Sequence, residues 1–299
     1  MNVKTNTLQV VHTIEQLRRL LDAMNRSSST VGFVPTMGYL HEGHLELVKQ
    51  AKMQNDLVVM SIFVNPTQFG PGEDFESYPR DLNRDSKLAE EAGVDIIFAP
   101  SVVEMYPNDG GIRILPGPQA NKLCGASRPG HFDGVLQVVL KLFNIVAPDR
   151  SYFGMKDAQQ LALIETFVRD FNIPTTIVRV PIVRENDGLA KSSRNVNLTS
   201  KERQEAPVIY QALQKGIDWL LESVSPEEVE RRIAEFITST SSGAIDYVQV
   251  LDYPSLGPVT EETNEMIIAC AIKFSTTRLI DNIIMSTKGG YNVSNDDEQ

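Results

Sequence analysis

The sequence predicts an α/β fold: a Rossmann-like parallel sheet domain with a smaller C-terminal α+β domain. Two observations carry this. Over residues 1–185, strand-like apolar runs alternate with helix-period segments, the order that a parallel sheet with right-handed crossovers requires. After Asn186-Asp187-Gly188, helical segments are followed by three strand-like stretches with no helix between them, the order of a small antiparallel sheet. The expected domains are therefore 1–185 and 186–287, with an acidic tail over 288–299 expected to be disordered. A chain of 299 residues fits one or two domains at roughly 150 residues each.

Each element has a local reason. Thr13 and Gln16 form a capping box ahead of the apolar positions Leu17, Leu20, Leu21 and Met24. Val31 to Val34 reads as a strand, and a helix is expected from about Gly43 to Met53. Leu57 to Val64 is nearly continuous hydrophobe, the mark of a strand buried on both faces. A helix over 81–92, a strand over 94–99, a helix over 131–146, a strand near Tyr152, a helix over 157–171 and strands around 175–184 complete the first domain. In the second, Thr199 and Glu202 cap a long helix to about Glu222, and Ser225 and Glu228 cap another with Pro226 at its first position. Strands are expected over 245–251, 266–274 and 278–285.

Composition narrows the function. With 41% hydrophobic and 22% charged residues the chain is ordinary globular protein, long enough to bury a core without staples. The 28 Lys and Arg against 39 Asp and Glu give a net charge of −11, which argues against a general nucleic-acid-binding role. Cys124 and Cys270 stand far apart outside any C-x-x-C spacing, which argues against a disulfide framework or a thiolate zinc site. No stretch reads as a signal peptide or a transmembrane span, so the expectation is a soluble cytoplasmic protein without a membrane partner.

Four segments carry chemistry. In FVPTMGYLHEGH (33–44) a strand ends, a glycine-containing loop follows, and a helix begins with His41 and His44 three residues apart, on one face. A helix N-terminus favours anions, glycines let backbone approach closely, and imidazoles add donors, so the pattern points to nucleotide phosphates. Gly38 and Gly43 have P-loop spacing, but His44-Leu45 stand where Lys-Ser/Thr are needed; the second histidine comes one residue early for H-E-x-x-H; and no G-x-G-x-x-G occurs. An isolated histidine pair at a helix start is ordinarily just solvated. Here, however, the pair holds two of the chain's four histidines and sits beside both loop glycines.

The second segment, Tyr152 to Gln160, opens a helix at the carboxyl edge of the sheet, where Lys156 can neutralise phosphate, Asp157 can cap the helix and Gln160 lies one turn inward. The third, Gly188 to Asn195, places Lys191, Ser192, Ser193 and Arg194 together, two cations and two hydroxyls that can wrap a triphosphate. The fourth, Ser61 to Gly70, puts Asn65 and Gln68 beyond a buried strand, where neutral amides can orient a hydroxy acid without pairing strongly with its carboxylate. Taken singly, each of the three also matches an ordinary capped helix, polar loop or turn.

Together these segments resemble the pantothenate synthetase (pantoate–β-alanine ligase) family, within the nucleotidylyltransferase superfamily marked by H-x-G-H. The matching stretches are PTMGYLHEGH (35–44), SIFVNPTQFGPGEDFESYPRD (61–81), MYP (105–107), RPGHFDGVLQVVLKLFNIVAPDRSYFGMKDAQQL (128–161) and VPIVRENDGLAKSSRN (180–195). The resemblance implies a ligase of pantothenate biosynthesis that joins (R)-pantoate to β-alanine at the expense of ATP, with a homodimer and Mg²⁺. It implies catalytic roles for His44, His41 and Lys156. It implies ATP binding at Met37, Gly38, Tyr39, Leu40, His41, Glu42, Gly43, His44, Gly154, Met155, Lys156, Asp157, Val183, Lys191, Ser192, Ser193 and Arg194. Gln68 and Gln160 correspond to pantoate contacts, with Asn65 assigned beside them, and no metal ligands are assigned. Met155 stands where the family usually has Glu, and Lys191 where it has an apolar residue. The second domain is expected to act as a lid that excludes water. Two other readings stay open: a different adenylyltransferase sharing the histidine loop, which would favour Arg or Lys at 68 and 160, and a nucleotide-binding regulatory protein without turnover.

Overall fold

The computed structural model describes residues 8–24, 28–73, 75–108 and 111–287. The tail expected over 288–299 lies outside the described residues. The chain divides into two compact units, one of Met1–Gly117, Arg128–Gly154 and Ile164–Val180, the other of Pro118–Ser127, Met155–Leu163 and Pro181–Gln299. This discontinuous division differs from the single boundary expected near residue 185.

The first unit is built on a six-stranded sheet in the order β1-β4-β3-β2-β5-β6, with every pairing parallel. The strands are β1 (Gln9–Val11), β2 (Val31–Thr36), β3 (Leu57–Ile62), β4 (Ile96–Phe98), β5 (Arg150–Gly154) and β6 (Thr176–Val180). Helices α1 (Ile14–Ala23), α2 (Glu42–Gln54), α3 (Leu82–Ala92) and α6 (His131–Val146) provide four of the five crossovers, and α4 (Val102–Met105) is a single turn. Strand order reverses between β2 and β5, so the crevice beyond their carboxyl ends is the position where open α/β sheets bind ligands. The capping box of Thr13 and Gln16 is made in full. One face of the sheet is sealed by Val34, Val58, Met60 and Ile97 against Leu47, Val48 and Ala51 of α2 and Ala89 of α3. Strand β1 escapes the sequence reading because it is three residues long, at the sheet edge, with two of the three exposed.

The second unit has the antiparallel sheet β7 (Ala244–Tyr253), β8 (Glu265–Lys273) and β9 (Arg278–Ser286), covered by α9 (Val208–Leu221) and α10 (Pro226–Thr240). Helix α7 (Ala158–Asp170) contributes its first residues to this unit and the rest to the other, and α5 (Leu123–Ser127) belongs here as well. The core is aliphatic: Leu213, Ile217, Ile233, Ile268 and Ile272 are all essentially inaccessible. Truncating one such side chain to alanine costs about 2–5 kcal/mol.

Two helix expectations are corrected. The long helix from Thr199 is two helices, α8 (Ser200–Glu205) and α9, because Pro207 lacks an N–H to continue the ladder. At α10 only half of the capping box is made. Ser225 accepts the Glu228 N–H, but the Glu228 carboxylate turns to Arg231 and Arg232 instead of the cap.

At α8 the box is complete and does more than cap. Glu202 Oε2 accepts from the Thr199 N–H and hydroxyl, and Oε1 accepts the Ser275 N–H at 2.8 Å, tying the helix to the β8–β9 turn. Hydrogen bonds from Ser275, then Thr199, hold this carboxyl at about 2, against 4.5 ordinarily. A folded-state value below the unfolded one stabilises above the unfolded pKa, and that stabilisation is lost as pH falls. Thermal unfolding of Glu202→Gln is therefore expected to start lower than wild type at neutral pH and to converge on it as pH drops from 4.5 to about 2. Parallel melting-temperature profiles across that window would contradict the assignment.

Candidate active site

Beyond β2 the chain turns through Gly38 and Tyr39, both at positive φ, into α2. His41 is the N-cap residue in extended conformation, and the cap is built from imidazoles. His41 Nδ1 accepts the Gly43 N–H at 3.1 Å, and His44 Nδ1 accepts the His41 N–H at 3.3 Å. A ring nitrogen that accepts carries no proton, so both neutral rings are Nε2–H tautomers. The ring centroids are 4.1 Å apart. Gly43 is required by this stack, since a Cβ there would lie 2.9 Å from His41 Cε1. Two N–H donors thus sit at a helix N-terminus, where backbone N–H groups and the macrodipole already favour an anion. The expectation that His41 and His44 share a face holds.

The turn after β3 is held by Asn65. Its buried carboxamide donates to Gly134 O at 3.1 Å and to Gln68 Oε1 at 3.2 Å, and accepts from Thr67 and from the Tyr106 hydroxyl at 2.8 Å. Asn65 therefore serves the turn. Gln68, 8% exposed, donates from Nε2 to Met37 Sδ at 3.1 Å, so its carboxamide meets the histidine loop. Burial pushes the Tyr106 phenol up, keeping it the protonated donor.

Sequence reasoning missed a second layer here. Arg128 grips Glu73 through two bonds at 2.9 and 2.6 Å and reaches His131 Nε2 at 3.0 Å, while His131 Nδ1 lies 2.7 Å from Gln68 O. Since arginine only donates, His131 accepts at Nε2 and donates from Nδ1. The Arg128 guanidinium holds the Glu73 carboxyl below the usual range. RPGHFDG was legible as a matching stretch, but these partners are 55 and 63 residues apart. Asp85 was missed too: its buried carboxylate accepts the Tyr39 and Leu40 N–H groups.

The second unit organises the other candidates. After Gly154 a 3₁₀ turn, Met155–Asp157, leads into α7. Buried Asn282 donates to Met155 O and Lys156 O, 3.0 Å each, so the segment is fixed through its backbone and the Met155 side chain is not used for that. Lys156 and Ser192 line one cleft with Ala190 and with Leu279 to Asp281 of β9. Arg184 forms two bonds to Asp281 at 2.7 and 3.0 Å, donates to Gly188 O and lies 3.6 Å over the Tyr210 ring, pinning the loop that leads to Ser192. Ser192 caps the 3₁₀ turn Ser193–Asn197 by accepting the Arg194 N–H. Val183 O accepts the Lys191 N–H, and Lys191 Nζ is 3.7 Å from Glu185 with its side chain 19% exposed. Lys191 is thus committed in part to its own hairpin. Gln160 is half-buried and Asp157 exposed, whereas Gln159 is buried with its amide spent on Gln119 O, Lys122 O and the Gly125 N–H.

The profile of the family described as pantoate-beta-alanine ligase matches residues 9–284. The chain is 59% identical over 283 residues to the pantothenate synthetase of Lysinibacillus sphaericus, covering 95% of this chain and 100% of that one. It is 50% identical over 281 residues to that of Bacillus subtilis, covering 94% and 98%. The crystal structure of pantothenate synthetase from Thermus thermophilus superposes with a TM-score of 0.85 at 46% identity, over 92% of this chain and 98% of that one. The Francisella tularensis pantoate-beta-alanine ligase, complexed with beta-gamma ATP and beta-alanine, does so with a TM-score of 0.77 at 38% identity, over 93% and 98%. With the α/β architecture, the imidazole-capped helix and this match over nearly its whole length, the chain belongs to the pantoate–β-alanine ligase family.

Proposed function

We propose that the chain condenses (R)-pantoate with β-alanine through a pantoyl adenylate, with the histidine loop as the phosphate site of the first step. The pantoate carboxylate attacks the α-phosphorus of ATP, and pyrophosphate leaves with the electron pair of the broken P–O bond. The β-alanine amine then attacks the acyl carbonyl, loses a proton, and AMP leaves. The observation that carries this reading is the pair of Nε2–H imidazoles at the start of α2 with the Gln68 carboxamide brought onto the same loop through Met37.

His41 and His44 donate hydrogen bonds to phosphate oxygens as charge develops on them, with His44 the proton donor that the family resemblance implies. Lys156, Ser192, Ser193 and Arg194 supply charge and hydroxyls to the triphosphate, with Gly154, Asp157, Val183 and Lys191 lining it. Gln68 and Gln160 hold pantoate; an amide orients the carboxylate without neutralising it as a cation would. Positioning of this kind is worth several kcal/mol, up to about 7–11 in favourable cases. Among the described residues no cluster of three or more His, Cys, Asp or Glu side chains is arranged to hold a metal. Mg²⁺ would enter as the counter-ion of the ATP phosphates. No helix among the described residues is long and apolar enough to cross a membrane. By family resemblance, the protein would act as a homodimer in the cytoplasm.

The experiment is pyrophosphate release from Mg·ATP with pantoate alone and then with β-alanine. A pantoate-dependent burst followed by β-alanine-dependent turnover is expected; ATP binding without either would favour the regulatory reading. His44→Ala is expected to slow the burst about 100-fold, the scale of losing one charge-stabilising donor. Gly43→Ala, which pushes against the His41 ring, is expected to slow it at least about tenfold with little change in pantoate KM, the signature of lost alignment. Wild-type bursts in both variants would remove the histidines from the mechanism.

A further inference from the structure

A tyrosine in the left-handed region, such as Tyr39 at φ 52, needs something to hold it. What holds it comes from α3. Asp85 Oδ2 accepts the Tyr39 N–H at 2.7 Å and Oδ1 accepts the Leu40 N–H at 2.8 Å. Arg84, the preceding residue, donates from Nη2 to Leu40 O at 2.9 Å and from Nη1 to Asp85 Oδ1 at 3.3 Å, with its guanidinium 5.1 Å from the Tyr39 ring centroid. Consecutive side chains of one helix therefore grip two donors and one acceptor of another segment's backbone. Gly38 makes room for the grip: at φ +85 it leaves open a position where a Cβ would sit 3.0 Å from Asp85 Oδ2.

The carboxylate is fully inaccessible, and burying a charge is costly even when it is paired. Packing α3 on the sheet does not call for one. Ala89, one turn along the same buried face, packs with a methyl group, and the start of α3 is capped separately by Asp81.

We propose that Asp85, with Arg84 as its counter-charge, is a positioning residue for the adenylation step. It touches no reacting atom. It fixes the backbone of Tyr39 and Leu40, and so sets where His41, the next residue, begins α2 and stacks its ring on His44. The inference rests on the adenylation reading given above. The turn carrying Gln68 is held independently by Asn65, Tyr106 and His131, so loss of Asp85 strikes turnover rather than pantoate affinity.

Asp85→Asn keeps the shape but places an NH₂ group against a backbone N–H. Its kcat for pantoate-dependent pyrophosphate release is expected to fall at least about tenfold, with pantoate KM within about threefold of wild type. The Tyr39 and Leu40 amides are expected to exchange hydrogen faster. Asp85→Glu, which keeps two acceptor oxygens, should recover part of the kcat. Asp81→Ala supplies the control: it removes the cap on the Arg84 N–H and weakens α3 without touching the loop, and should leave kcat within about twofold. If Asp85→Asn fails to fold, Arg84→Met tests the same grip from its half-exposed side and should give a smaller kcat loss of the same kind.

Wild-type kcat and exchange in Asp85→Asn, or in Arg84→Met where only that variant folds, would overturn the proposal. So would a kcat loss in Asp81→Ala equal to that in Asp85→Asn at a matched melting temperature. A wild-type enzyme that releases no pyrophosphate with pantoate would overturn the adenylation reading and the catalytic part of this proposal with it. The exchange measurement would still decide whether the anchor exists.

Discussion

The first turn of any α-helix has backbone N–H groups with no partner inside the helix, and at α2 imidazole nitrogens supply two of those partners. Much of the site follows. Committing Nδ1 of both rings fixes their tautomers and leaves Nε2 carrying the proton. Placing the His41 ring over the turn excludes a side chain at Gly43. Stacking two rings at 4.1 Å requires the approach through Tyr39 and Leu40 to be held still, and that is the task of a buried carboxylate on a different helix.

The two units solve the same problem with different bonds. In the first, the turn after β3 is held chiefly by one carboxamide, Asn65, which engages Gly134, Thr67, Gln68 and Tyr106, and the histidine loop by the Asp85 carboxylate gripping two backbone N–H groups. In the second, a largely buried ion pair dominates: Arg184 joins Asp281, Gly188 and the Tyr210 ring, and Asn282 beside it fixes Met155 and Lys156 through their carbonyls. A flexible, charged side chain such as Lys156 is thereby carried on a rigid backbone, so its reach is retained while its origin is not free to drift.

Much of this was legible in the sequence where local rules govern. The helix over 131–146, the buried strand from Leu57 and the box at Thr13 all follow from periodicity or capping chemistry. The histidine pair was legible because three-residue spacing has geometric meaning at a helix start. What could not be read depends on distant partners. An aspartate in the first turn of α3 reads as an ordinary complement to the helix dipole until Tyr39 and Leu40, some 45 positions earlier, are brought to it. The Glu73–Arg128–His131 chain is hidden for the same reason. The break at Pro207, by contrast, is a local feature: a residue without an N–H ends the ladder wherever it stands.

The discontinuity of the second unit bears on how the chain matures. Leu123, Ala158 and Ala162 bury themselves against Tyr253, Leu256, Ile267 and Ala269. On the ribosome the first three emerge while the residues that cover them are still about a hundred codons from synthesis. The parallel sheet can close once β6 is out, but these apolar side chains must wait, uncovered, for β7 and β8. That interval is when a nascent chain is most exposed to adhesion and to chaperone capture.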